Sequence, residues 1–596
     1  MTVAAFNEFY APFTLSVTKN ELKRAVIIGS CFAQGISHHS HRLMPGLVCD
    51  HVTYNFLSNS VSLPHPVIEY DFQIVMLPLR TVMPEGMFMG LAWDDVDGFE
   101  QCFSHSLNIL EKMLDGALVH NSASGITSFV ADFLVPQANS MGRLLPRNDL
   151  RNPVEYVRRL NRFIYDYVTK RVNVFVLGVD DIAAAFGKHY VQDDVLCANS
   201  HGAFISDWDW SHDQKRLHPP RKFSETVDTK VDDFILSLWG EMMAMLRTIS
   251  QKDSVKIVIC DIDDTLWRGV LAEQNSFGSE VLEGWPLGLI EALNNLKRRG
   301  VLLALASKND EATIRDLWAK TIGRRLSLDS FASVKINWRP KSENIGEILR
   351  ETSLLARNAL FIDDNPVERE TALQAHPGIR VLGEDLYSIR RTLLWSPETQ
   401  VTMITKESSN RTEMIKSQIE RDQVRTSMPR DQFLKTLGVS VQTITIADIV
   451  DVNFERAFEL VNKTNQFNTT GQRWSREQVS AFFNAGGSIE AFSAVDRFTD
   501  YGIVGAALIV ENELKQFAMS CRVLGLDVEV YFLNKLAKRL GLTGGLISRI
   551  IKTDANSLCL DLFDRCGWSV KNDIWVSSAD LGLPNHVNQE VAEVTS

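Results

Sequence analysis

A chain of 596 residues is long enough for about three or four domains with cores of their own. Apolar residues make up 45% and charged residues 23%, an ordinary globular composition, and a net charge of −12 argues against general nucleic-acid or anionic-membrane binding, which requires a basic face. Residues 1–24 lack the apolar centre of a signal peptide, no stretch reaches the length of a membrane span, and the eight cysteines form no CxxC pair, so free thiols in a cytoplasmic protein are expected.

The first region opens with R-A-V-I-I-G-S-C-F-A-Q-G-I at 24–36. Val26–Ile28 predicts a strand, and Gly29 a tight turn into a helix beginning near Phe32. The spelling G-S-C-F-A at 29–33 resembles the opening motif of the GSCFA branch of SGNH-type hydrolases, and Asp209-Trp210-Ser211-His212 has the D-x-x-H spacing that orients a general base in that fold. The resemblance implies either a triad of Ser30, Asp209 and His212 or an SGNH-like fold used for docking without chemistry. His38, His39 and His41 have no fourth ligand at a recognisable spacing and read as a solvated helix face rather than a metal site. Val172–Leu177 predicts another strand, Asp180–Phe186 a helix, and a polar helix-like stretch reaches Arg247. This α/β domain is expected over 1–240, with its boundary between 225 and 252.

Residues 255–269 read V-K-I-V-I-C-D-I-D-D-T-L-W-R-G, a β-branched run that ends in Asp261, Asp263 and Asp264, followed by Thr265. Such a run suits a strand buried on both faces of a parallel sheet, and acids at its C-terminal end sit where open α/β sheets bind ligands. Asp261 and Asp263 project to the same side of the strand. Carboxylates so crowded repel one another unless a cation lies between them, and magnesium, which prefers oxygen donors, is the expected ion. Leu289–Arg299 then predicts an amphipathic helix capped by Gly300, and Val301–Ala306 a buried strand that delivers Ser307 in S-K-N-D. Lys341 follows in N-W-R-P-K-S-E-N-I, and the strand Ala359–Ile362 delivers Asp363 and Asp364 in D-D-N-P-V-E-R. No long insertion separates Trp267 from the next helix, so any cap over the site is small or comes from elsewhere in the chain.

Strand tip, strand tip, lysine, strand tip is the order of the four motifs of the haloacid dehalogenase superfamily, which residues 252–400 resemble. The longer D-I-D-D-T-L-W-R-G is similar to the FkbH-like branch, with Asp264 in place of the commoner Asn. The resemblance implies a Rossmann-like parallel sheet and a magnesium-dependent phosphatase site. Asp261 is then the nucleophile and Asp263 the general acid and base; Thr265, Ser307 and Lys341 bind substrate, and Asp261, Asp263, Asp363 and Asp364 surround the metal.

Residues 400–430, with Lys406, Glu407, Arg411, Glu413 and Arg425, predict a charged linking helix. A third domain is expected over 430–585, with an amphipathic helix at Val530–Leu540. Arg522-x-x-Gly525 before that helix resembles the loop with which N-acetyltransferase-like domains cradle a CoA pyrophosphate, although Asp527 stands where the loop ends in a small residue and would repel that group. K-T-N-Q-F-N and M-S-C-R-V-L-G are similar to the C-terminal half of FkbH-like proteins. The expectation for the whole chain is a multidomain α/β protein: a central Rossmann-like haloacid dehalogenase parallel sheet flanked by an SGNH-like α/β domain and an N-acetyltransferase-like α/β domain. The likeness to FkbH-like proteins implies dephosphorylation of 1,3-bisphosphoglycerate and loading of its glyceryl unit onto the thiol of an acyl carrier protein, in secondary-metabolite or surface-glycan assembly. A stand-alone magnesium phosphatase with docking domains is the competing reading. Cys521, beside Arg522, is expected to be the acyl-holding thiol with a lowered pKa, and Cys260, facing away from Asp261, a core residue.

Overall fold

In the computed structural model the chain forms two compact units, one comprising Lys19–Met245 and the other Leu246–Ser596 joined by the early segment Pro12–Thr18. The structure describes residues 12–18, 22–30, 33–37, 40, 46–57, 61–83, 85–137, 139, 142–144, 146–192, 210–222, 225, 228–274, 278–404, 410–425, 429–540, 545–553, 555–578 and 581–589.

The first unit is built on five parallel strands, β1 (Arg24–Gly29), β2 (Val48–Thr53), β3 (Phe72–Met76), β4 (Ser128–Ala131) and β5 (Val174–Leu177), in the order β2-β1-β3-β4-β5. Gly29 ends β1 against β3, where a Cβ would lie 2.4 Å from the carbonyl oxygen of Met76, so only glycine fits. The stretch expected to be polar up to Arg247 is a helix, Val231–Ser250, that buries Phe234, Leu238, Trp239 and Met242. Phe234, Leu238 and Met242 recur every fourth residue and form one apolar face.

In the second unit, β6 (Ile257–Cys260), β7 (Leu302–Ser307), β8 (Ser333–Ile336), β9 (Ala359–Ile362) and β10 (Arg380–Leu382) form a parallel sheet in the order β10-β9-β6-β7-β8. Alternation assigns its side chains to two cores. Val258, Cys260, Leu303, Leu305, Leu360 and Ile362 pack on one face with the helix Trp285–Arg298, while Ile257, Ile259, Ala304, Ala306 and Phe361 pack on the other with the helix Lys341–Glu351. Cys260 is fully buried, as expected. Strand order reverses at β6, which places the switch point of the sheet beside its Asp261.

The remaining strands, β11 (Ser440–Ile446), β12 (Ser488–Val495), β13 (Asp500–Val510), β14 (Glu513–Met519), β15 (Ile547–Ser548), β16 (Ser569–Lys571), β17 (Ile574–Val576) and β18 (Asn588–Gln589), form one mixed sheet. Most of its pairs are antiparallel, but β14 runs parallel to β15, and the helix Val528–Leu540 connects the two.

The segment 12–18 completes the second unit. Leu15 is 1% exposed within the core beside β6, the Arg380 guanidinium donates to its carbonyl oxygen at 3.0 Å, and the Thr18 hydroxyl donates to Asp253 at 2.7 Å. Leu15→Ala is expected to cost about 2–4 kcal/mol. Hydrogen exchange read by mass spectrometry should then accelerate over 246–404 and stay unchanged over 22–192; the opposite pattern would show that Leu15 supports the other unit.

Candidate active site

Three carboxylates meet at the C-terminal end of the middle sheet. Asp261 follows β6, Asp363 and Asp364 follow β9, and one oxygen from each lies within 4.8 Å of the others. Asp261 and Asp363 are buried, Asp364 partly so. Lys341, the first residue of the helix Lys341–Glu351, brings its ammonium 3.0 Å from Asp261 Oδ2 and 2.7 Å from Asp363 Oδ2. Burial pushes the Asp261 carboxyl up from the usual range, with Lys341 drawing it back and Asp363 adding to the rise. Asp363 and Asp364 are raised for the same first reason, and Asp264 adds its repulsion at Asp364. Burial alone would lower Lys341, but its two acids outweigh this and raise it.

A hard divalent cation fits here. Three carboxylates face one ammonium, all the donors are oxygens, and Asp261 Oδ1 is buried with no hydrogen-bond partner among the described residues. An unpartnered carboxylate oxygen in such a place calls for a cation, and the donor set suits magnesium.

Asp263 stands outside this group. Its Oδ1 accepts from the indole N–H of Trp267 at 2.7 Å and its Oδ2 from the amide of Asn309 at 2.9 Å, so its side chain is directed away from the three clustered carboxylates. Those two donors hold it instead beside Ser307, whose hydroxyl accepts from the same Asn309 amide at 3.0 Å. Thr265 lies close by. It is fully buried, and its hydroxyl accepts from the backbone N–H of Asp364 at 3.3 Å, so it braces the acid loop. Asp264 adopts a left-handed backbone with φ of 50° and accepts from the Gly269 N–H at 2.7 Å. Asn and Asp both tolerate that conformation, which accounts for either residue at this position.

Several further side chains of the motifs support the site. Asn309 belongs to S-K-N-D and Trp267 to the first acidic motif. In D-D-N-P-V-E-R, the Asn365 N–H donates to Asp363 Oδ1 at 2.9 Å, and Arg369 donates to the carbonyls of Asp363 and Asp364 at 2.7 Å. Between β6 and the helix Trp285–Arg298, the regular structure among the described residues is two short 3-10 turns, Leu271–Glu273 and Ser279–Leu282.

The other expected sites are less complete. Ser30 follows β1 and is buried, with His51 Nε2 donating to its carbonyl oxygen at 2.9 Å. His212 lies exposed in the short helix Trp210–Asp213, and no hydrogen bond joins it to Ser30 among the described residues. Asp209 lies outside the described residues, as do His38, His39 and His41. Cys521 opens a 3-10 turn, Cys521–Val523, and its thiol donates to Gln466 Oε1 at 3.3 Å. Burial raises this thiol, against the pull of Lys256, Arg411 and Arg522, which corrects the expected lowering. Arg522 is itself buried, its guanidinium set against Met414 Sδ and the Ser520 hydroxyl, so it is not displayed as a pyrophosphate cradle. Both oxygens of Asp527 accept from Arg430, at 2.7 and 2.8 Å.

No protein-family profile matches this sequence, and no curated protein matches it. Among solved structures, the chain is similar to the N-terminal part of a Bacteroides fragilis protein containing a phosphatase domain, complexed with Mg, at 16% identity over 67% of this chain and 99% of that one, with a TM-score of 0.44. It is also similar to the cobalt-bound deoxy-D-mannose-octulosonate 8-phosphate phosphatase of Haemophilus influenzae, at 16% identity over 25% of this chain and 91% of that one, TM-score 0.19. The 3-deoxy-D-manno-octulosonate 8-phosphate phosphatase of Moraxella catarrhalis, in complex with magnesium, phosphate and KDO, matches at 13% identity over 26% of this chain and 92% of that one, TM-score 0.19.

The geometry separates ligands from their neighbours in a way that calorimetry can read. Asp364→Ala is expected to weaken Mg²⁺ binding by about tenfold or more, and Asp263→Ala to leave it within about threefold. Equal losses in both variants would return Asp263 to the metal.

Proposed function

We propose that this chain is a divalent-metal-dependent phosphatase of the haloacid dehalogenase type that works through a covalent intermediate on Asp261. The observation that carries this reading is the state of Asp261: buried at the switch point of a parallel sheet, held by Lys341 on Oδ2 and, among the described residues, without a hydrogen-bond partner on Oδ1. In this reading Asp261 attacks phosphorus and takes the phosphoryl group, while Asp263 gives its proton to the departing oxygen. Asp263 then accepts a proton from the water that hydrolyses the aspartyl-phosphate. Trp267 and Asn309 fix Asp263 for both steps, and Ser307 and Lys341 hold phosphoryl oxygens. A bound magnesium ion supplies the positive charge that lets three carboxylates and a phosphoryl group share the site.

The substrate we propose is an activated phosphoglycerate, 1,3-bisphosphoglycerate: Asp261 takes the phosphoryl group of the C3 ester, and a thiol attacks the C1 carbonyl and expels the acyl phosphate's inorganic phosphate, so that the glyceryl unit passes as a thioester to the thiol of an acyl carrier protein. The support for this finer statement is the likeness of K-T-N-Q-F-N and M-S-C-R-V-L-G to FkbH-like proteins. A plain phosphatase without transfer is favoured by Cys521. Its thiol is raised by burial, and it lies with Lys256 at the N-terminal end of β6, about 16 Å along the strand from Asp261.

Phosphate release from 1,3-bisphosphoglycerate, with and without a carrier protein, tests both statements. Asp261→Asn should lose about a thousandfold or more in rate while remaining folded. Residual turnover above about a tenth of wild type would end the nucleophile assignment. A glyceryl adduct seen in the intact protein by mass spectrometry, and absent in Cys521→Ser, is the outcome expected for transfer. Phosphate release without any adduct or carrier loading leaves the plain phosphatase.

A further inference from the structure

At the N-terminal end of the same sheet, opposite the acid cluster, lies a cavity of about 140 Å³. On a scale where about 10–15 Å³ holds one water molecule, this admits a phosphate with a short organic group. It is walled on one side by the chain entering β6, β7 and β9, and on the other by the helices Arg411–Arg425 and Phe454–Lys463 and the turn at Cys521. Among the described residues that line it are six cationic side chains and a single carboxylate, Glu459.

That carboxylate is already shared. Arg456 and Lys463, one turn either side of it on the same helix, approach it at 2.6 and 2.7 Å. The other cations find neutral partners: Arg411 donates to the Gly300 carbonyl at 3.0 Å, Arg299 to those of Leu394 and Thr399, and Lys256 to that of Lys463. No ion pair reaches Lys256 or Arg411 among the described residues. Lys256 lies deep in the protein and yet keeps part of its surface open, because that surface faces the cavity. Burial first, and then repulsion from Arg411, Arg473 and Lys463, draw its pKa down to about 7. Burial likewise lowers Arg411, to about 10. Like charges gathered in a recess with one counter-charge are costly, and the cost falls when an anion enters.

We infer that this recess is a second anion site, which takes a small phosphate-bearing ligand against Lys256 and Arg411. Asn465 and Gln466 on its wall offer neutral donors for the remaining oxygens. The inference does not depend on the phosphatase reading, since none of these side chains belongs to the acid cluster.

The test uses the full chain in excess chelator, where phosphate cannot bind through a metal at the acid cluster. Inorganic phosphate and glycerol 3-phosphate are titrated by calorimetry, with chloride of equal ionic strength as control. Wild type should bind at least one of the two, and Lys256→Met and Arg411→Met should each weaken that binding by about tenfold or more. Tighter binding of the ester would identify an organic phosphate as the ligand, and equal binding the free ion. Thermal melting guards against a folding artefact: Lys256→Met should melt higher than wild type without ligand, because a buried unpaired charge is gone, and should no longer respond to phosphate. Absence of phosphate binding in wild type would overturn the inference. So would binding that survives Lys256→Met and disappears in Lys341→Met, which would place the anion at the acid cluster.

Discussion

A buried ammonium between two buried carboxylates organises this molecule. Lys341 holds Asp261 and Asp363 together, and each of the three is tied to a different part of the sheet: one ends β6, one ends β9, and one begins the helix after β8. Removing one member of such a group leaves an uncompensated charge in the interior, which typically costs about 3–5 kcal/mol. The pairing therefore acts on architecture as much as on chemistry. It demands that three chain segments arrive within hydrogen-bond reach, and the close approach at Gly383 helps to meet that demand: a Cβ there would lie 1.8 Å from the carbonyl oxygen of Asp363. One ammonium still leaves three acids undercharged, so the same constraint that builds the site also makes it hungry for a metal.

The parts of this arrangement that were legible in the sequence are those with a local signature. β6 is a short β-branched run and β9 a short apolar one, each ending in acids, and the bounds expected from the sequence lie close to those observed. The roles of Asp263 and Thr265 were not legible in the same way, because spacing along a strand gives a direction and no partner. Asp263 leaves the strand and turns toward Trp267 and Asn309; Thr265 turns inward to the loop of Asp364. The longer motif spellings also carried more than was read from them. Lys308 of S-K-N-D meets Glu368 of D-D-N-P-V-E-R at 2.6 Å, and Asn344 after the lysine donates to Asn337 at 3.0 Å. These letters join one motif to the next, and such pairings become visible only once the strands lie side by side. The thiol of Cys521 shows the same limit, since a neighbouring arginine in sequence does not reveal how deeply both are buried.

Net charge proved a poor guide to local charge. A chain with an overall charge of −12 places an acid cluster at one end of its parallel sheet and a cation-rich recess at the other. The acids come from strand ends of the sheet itself. Most of the cations come from later helices that pack beneath it, separated from β6 by long stretches of sequence. Periodicity within any single element could not bring them together. Five of the six keep part of their surface open where they line the cavity.

The placement of residues 12–18 in the core of the second unit makes everything from 19 to 245 an insertion in sequence, bounded on both sides by parts of one body. The chain therefore closes a loop whenever Leu15 docks. The entropy of closure rises only slowly with loop length, and a folded insert shortens the effective span further. The covalent link keeps the small segment at high effective concentration beside its groove. A single proteolytic cut within the insertion would leave every contact of Leu15, Thr18 and Arg380 chemically intact, but would turn a unimolecular closure into an association between two fragments. The stability of the second unit would then depend on dilution, although the lesion lies in the first.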